Sequence, residues 1–167
     1  SGYQRFIENL IHEPIDADQS RSYEERVIEA LTRIVQKIDT TAVIKTAFNS
    51  SVVIFKELTL PFSDQYKIKM ILPYEIEPSL PFPLSEAIID MMPTEPIPLE
   101  EKTTVVVAAV QKKLVEEHCA LFKAAHITFD VITIDVFDIC ALLLQSAGQQ
   151  DMKGMTAVVL MGSYTTK

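Results

Sequence analysis

The sequence predicts an α/β protein. Strand-like and helix-like segments alternate through the last third of the chain, and a capped amphipathic helix stands near the start. The composition agrees, with 48% apolar and 23% charged residues over 167 positions, enough to bury one ordinary core or two small ones. Fifteen Lys and Arg against 23 Asp and Glu leave a formal net charge of −8, which disfavours nucleic acid and anionic lipid as partners. No apolar run approaches the roughly 20 residues of a membrane-spanning helix. Two cysteines, Cys119 and Cys140, are too few for a disulfide framework and fit a reducing compartment. Ser1-Gly2, without a methionine, reads as a cloning remnant on a piece of a longer protein.

In chain order, residues 3–13 mix apolar and polar side chains as a strand would, ending at Pro14. Ser22 and Glu25 form a capping-box pair, and Val27, Ile28, Leu31, Ile34, Val35 and Ile38 follow on one helical face. Ala42–Phe48 and Val52–Leu60 read as a hairpin turning at Asn49-Ser50-Ser51, with Asn tolerating a left-handed backbone. Ser63 and Asp64 offer a cap to a helix over about 64–77, which Pro73 is expected to kink or divide. Pro78, Pro81 and Pro83 predict an extended path, Ala87–Met92 a strand, and 93–102 an exposed hairpin loop or linker.

Thr103–Val110 has the unbroken Val/Ala character of a strand buried on both faces. A helix over Lys112–Ala125 presents Leu114, Val115, Cys119, Phe122 and Ala125 on one face, and Phe129–Ile134 is a strand. Asp135 can cap a further helix ended by Gly148, and Thr156–Met161 is another buried-type strand. That order predicts right-handed crossovers and a mostly parallel sheet in this part.

Chemistry is sparse. His12, His118 and His126 have no zinc spacing, and neither cysteine lies in a C-x-x-C pattern. His118 and Cys119 are neighbours on a helix and point about 100° apart, so they make no dyad. His126 ends its helix, where a left-handed backbone and the helix dipole both suit it. Asp130, Asp135 and Asp138 lie near strand ends, where carboxylates either face a cleft or, as for Asp135, cap a helix. After Val158–Met161 comes a small hydroxyl-rich turn, Gly162-Ser163-Tyr164-Thr165-Thr166, either an ordinary turn or one that holds phosphate on backbone N–H groups. Four glycines in the whole chain leave little else for a phosphate loop, and no P-loop or nucleophile elbow is present.

A succession of segments carries a family likeness. Lys56-Glu57-Leu58-Thr59-Leu60-Pro61 precedes a helix holding Ile71-Leu72-Pro73-Tyr74-Glu75-Ile76-Glu77. Leu80-Pro81-Phe82-Pro83-Leu84 follows, then a strand containing Asp90, then Val105–Ala109 and Phe129–Asp135. This order resembles the actin-like type IV pilus assembly protein M and the cytoplasmic domain of type II secretion protein L, relatives of the actin-like cell-division anchor protein. The resemblance implies an actin-like (ribonuclease-H-like) subdomain fragment over about 1–60 and 110–167. A small α/β subdomain of strand-helix-strand-strand type, 61–109, would be inserted in it, with Tyr74 and Ile76 buried and the 42–60 hairpin packed with their helix.

By the same resemblance, Gly162, Ser163, Thr165 and Thr166 are what is left of a second phosphate loop. Leu160 stands where the family has an aspartate, and a first loop has no counterpart. No catalytic residue, metal ligand or cofactor is therefore expected, and ATP hydrolysis is not. The implied role is a non-catalytic cytoplasmic scaffold at the inner-membrane face of a type II secretion or type IV pilus platform, acting by protein-protein binding. The implied partners are the cytoplasmic tail of a bitopic inner-membrane protein, a motor ATPase and further copies of the chain. The alternatives are an actin-like ATP- and Mg-binding protein whose remaining site lies outside this chain, and a self-associating module.

Overall fold

Ser22 sits in extended backbone, and its hydroxyl accepts from the Glu25 amide at 3.1 Å while the Glu25 carboxylate accepts from the Ser22 amide at 3.1 Å. Helix α1, Tyr23–Val35, grows from this closed capping box. The structure is a computed structural model, and it describes residues 9–39, 41, 43–93 and 102–146. Its elements continue as β1 (Lys45–Phe48), β2 (Ile54–Leu60), α2 (Gln65–Ile76), β3 (Ala87–Pro93), β4 (Thr103–Gln111), α3 (Lys112–Ala124), β5 (Val131–Ile134) and α4 (Asp135–Ser146). Backbone contacts divide the chain into two compact units, Ser1–Lys45 with Glu116–Val131, and Thr46–Val115 with Ile132–Lys167.

In the first unit, α1 buries Ala30 fully, and the rest of its apolar face is half-covered. Residues 9–13 form no strand, contrary to the alternating pattern; residues 3–8 of that expectation lie outside the described residues. Instead, Glu13 bridges the Arg33 guanidinium, at 3.0 Å, and the Lys37 ammonium, which ties the segment to α1. These two cations hold the Glu13 carboxyl below its usual range. Helix α3 ends in a Schellman motif. Ile127 donates to the Phe122 carbonyl and His126 to that of Lys123, while His126 takes the left-handed φ of 58° that its position led one to expect.

The second unit holds the clearest core. Strands β2, β4 and β3 form an antiparallel sheet in that order, with Leu58 opposite Val105 and Met91 opposite Val107. Asp64 caps α2 by accepting from the amides of Tyr66 and Lys67 at 2.9 and 3.3 Å. Ile68, Leu72 and Ile76 of α2 then cover Leu58, Leu60, Val105, Val107 and Ala109. Burying side chains of this size stabilises by about 1.5–3 kcal/mol each. Chain order here is strand-helix-strand-strand, β2-α2-β3-β4.

Several expectations fail for identifiable reasons. The segments at 42–60 make no hairpin: β1 pairs with β5, and β2 pairs with β4. Asn49 has φ −70° rather than a left-handed value, and its side chain accepts from the Ser51 amide to start a 3-10 turn over Ser50–Val52. That turn sends the chain onward instead of back. Pro73 does not divide α2, which runs unbroken from 65 to 76. Tyr74 is 70% exposed while Ile76 is fully buried, because the two positions project about 200° apart on the helix. Pro78 lies in a second 3-10 turn, Glu77–Ser79, so the proline segment is extended only in part, as at Leu80 and Pro83.

Strand β4 buries one face only, alternating buried Thr103, Val105, Val107 and Ala109 with half-exposed neighbours. Strands β4 and β5 do not share one sheet as expected, since β4 lies in the antiparallel sheet and β5 pairs with β1. Residues 94–101, Gly148 and the strand expected at 156–161 lie outside the described residues.

Candidate functional site

The face of the three-stranded sheet turned away from α2 carries a concavity. Alternation along β4 and β3 puts Val106, Ala108, Asp90 and Met92 on that face. Helix α4 stands near it, anchored by an edge-on contact between Phe55 of β2 and Phe137, ring centroids 5.7 Å apart. Between them runs an apolar groove of about 600 Å³, lined on one side by β3 and β4 and on the other by Ile132–Ile134, Phe137, Asp138, Cys140 and Ala141. Ala108 and Ala141 keep it open, since a larger side chain at either position would fill it.

Asp90 and Asp138 are the two carboxylates of the lining. Asp90 accepts from the Met91 amide at 2.8 Å, and Asp138 accepts from the Thr133 hydroxyl. The groove therefore offers apolar surface and anionic acceptors. Its volume would admit a small ligand, but the carboxylates would repel a triphosphate. Met92 adds a polarizable, adaptable side chain of the kind that suits peptide-binding surfaces.

The residues singled out by sequence are dispersed. Asp130 stays in the first unit, where its carboxylate accepts from the Ile44 amide at 3.0 Å and its own amide donates to the Ile44 carbonyl at 2.8 Å. Asp135 is the first residue of α4 and accepts from the amides of Ser50 and Val136 at 3.0 and 2.7 Å, a structural duty. Of the three aspartates, only Asp138 lines the groove. His118 packs its ring on Phe122 and Phe129 at 4.9 and 6.5 Å, and burial pushes its pKa down.

Cys119 and His126 border a shallow cavity in the first unit with Lys123 and Phe129, while Cys140 is half-buried in the groove. His12 is exposed. No group of three or more His, Cys, Asp or Glu placed to hold a metal occurs among the described residues. Leu160, Gly162, Ser163, Thr165 and Thr166 lie outside the described residues. Sequence reasoning missed Val106 and Ala108 as groove residues. The signal was present as the small pair Ala108-Ala109 after Val105–Val107, but it reads equally as a strand buried on both sides.

The fold is a mixed α/β architecture of the actin-like kind. One solved structure that shares it is titled the PilM-PilN type IV pilus biogenesis complex, with a TM-score of 0.59 and 20% identity over 83% of this chain and 40% of that one. Another is the cytoplasmic domain of EpsL, an inner membrane component of the type II secretion system of Vibrio cholerae, with a TM-score of 0.51 and 17% identity over 64% of this chain and 42% of that one. The chain thus spans about two fifths of the length of each. Residues 2–167 match the family described as type IV pilus assembly protein PilM, and the chain belongs to that family. Among curated proteins, none matches the sequence. No helix among the described residues is long and apolar enough to cross a membrane.

Proposed function

We propose that this chain is a non-catalytic scaffold segment of a type IV pilus or type II secretion assembly platform, and that it holds a short partner peptide in the groove between β3–β4 and α4. The observation that carries the reading is the groove itself: apolar, open through its alanines, and edged by carboxylates instead of phosphate-binding cations or amides. The preferred occupant is the cytoplasmic tail of a bitopic inner-membrane protein, in line with the PilM-PilN title of one structural neighbour. A cytoplasmic site at the inner-membrane face follows from that partner, and the motor ATPase is a second partner on the family pattern. The inserted subdomain is assigned to 61–109, between parts of the larger one at 1–60 and 110–167. The turn at Gly162, Ser163, Thr165 and Thr166 is read as a degenerate phosphate loop, with no cofactor held, because Leu160 cannot orient a metal-bound water.

Calorimetry with a synthetic peptide of that membrane-protein tail tests the reading. Binding in the micromolar range, lost in Ala108→Arg and Ala141→Arg with folding intact, is the expected result. A peptide that binds both variants as well as the parent would refute the groove as its site.

A further inference from the structure

Segment 9–18 has no regular secondary structure, yet α1 holds it at several points. Arg26 donates to the Asp16 carbonyl at 2.7 Å, and Arg33 to the Pro14 carbonyl at 3.1 Å and the Glu13 carboxylate at 3.0 Å. The Lys37 ammonium closes on the other oxygen of that carboxylate. Arg26, Ala30, Arg33 and Lys37 recur at i, i+4, i+7 and i+11, so they form one stripe along the helix and the turn after it. Ala30 is buried within that stripe, where a longer side chain would lift the segment off.

What the stripe recognises is largely generic. Backbone carbonyls, which every residue carries, satisfy Arg26 and part of Arg33. Only the Glu13 side chain, 9% exposed between its two cations, is a particular residue. The spacing is that of an extended chain: seven helical residues from Arg26 to Arg33 rise about 10 Å, and three extended residues from Glu13 to Asp16 span about as much. Apolar anchorage of the segment is slight, with Leu10 86% and Ile15 42% exposed. A segment held by cation-oxygen contacts and little buried apolar surface opens locally at small cost.

We propose that the stripe of Arg26, Arg33 and Lys37 is a docking site for an acidic, extended peptide of another protein, and that segment 9–18 occupies it in cis as a strap that such a peptide displaces. The incoming carboxylate takes the place of Glu13 between Arg33 and Lys37, and the carbonyls beside it take the two guanidinium groups. Charge complementarity selects the occupant: in a chain of net charge −8, this stripe gathers three cations and already holds a carboxylate. The strap lowers the partner's apparent affinity in proportion to the time it stays closed. The site is separate from the groove and stands whether or not the groove binds a peptide.

Fluorescence anisotropy of a labelled peptide with the sequence of residues 9–18, added to the full chain, is the test. Glu13→Gln in the chain loosens the strap, so the peptide should bind that variant at least about tenfold more tightly than the parent. A second peptide of unrelated sequence, keeping only a glutamate-proline pair and an aspartate two residues later, should bind it within about tenfold of the first. Adding Arg33→Gln to the variant, or placing Glu13→Gln in the peptide, should each weaken binding at least about tenfold, with circular dichroism unchanged. Should Arg33→Gln disturb the fold, Lys37→Met in its place should weaken binding in the same direction. No binding to the loosened chain, equal binding to parent and variant, indifference to loss of the cation, or recognition of the strap's own sequence alone would each overturn the proposal.

Discussion

His126 holds a backbone conformation that most L-residues avoid, with φ 58° at the end of α3. Glycine takes that conformation without a Cβ clash, so His126→Gly should leave the protein equally stable or more stable by up to about 1 kcal/mol. His126→Val, β-branched at the same place, should lose roughly 1–2 kcal/mol, both read by urea unfolding. The neighbouring His118 makes a different prediction. Burial beside Phe122 and Phe129 lowers its pKa below the ordinary 6.5, so the folded chain prefers the neutral ring. The unfolded chain then takes up the proton first as pH falls. Stability from this site is complete above about 6.5 and is lost as pH drops through the lower folded value. The thermal midpoint should therefore decline from neutral pH toward about 5, and His118→Phe should flatten that decline. An unchanged slope in the variant would remove His118 from the explanation.

At the scale of elements, local signals were legible and long-range pairings were not. The capping box at Ser22, the Asp64 cap and the left-handed end at His126 are contacts within a few residues, and each stands where its sequence pattern put it. The hairpin at 42–60 fails because pairing partners are chosen by distant strands: β5 for one segment, β4 for the other. No local rule carries that information. Helix α2 shows the same limit in miniature, since apolar residues on all sides conceal which face meets the sheet. Ile76→Ala should cost about 2–5 kcal/mol, because the residue is fully buried in a packed cluster. Tyr74→Ala should change stability by less than about 0.5 kcal/mol in the monomer. Equal effects from the two substitutions would contradict the assigned orientation of the helix.

Across the whole molecule, a net charge of −8 opposes any meeting of two copies. For centres ~30 Å apart in water, the repulsion is roughly 3 kcal/mol where the Debye length is ~30 Å, at about 0.01 M salt. At about 0.15 M it falls to a few tenths, while an exposed ion pair contributes at most about 1 kcal/mol. Self-association should therefore tighten as salt rises over that range, and a dimer that loosened instead would mean the local pairs dominate. The groove was the least legible feature, since its walls come from four elements, β3, β4, β5 and α4, spread between Asp90 and Ala141 in sequence. Of Asp130, Asp135 and Asp138, only the last reached it, because strand-end position predicts proximity to a cleft and not which cleft.

Strand β4 has a consequence for how this protein tolerates change. Its odd positions, Thr103 to Ala109, face the core, while Val106 and Ala108 face the groove. A saturation screen along those residues should thus separate into two interleaved records. Odd positions would govern how much protein a cell accumulates, and even positions the shape and polarity of the groove. A lineage could remodel the groove at every second codon without disturbing the codons between.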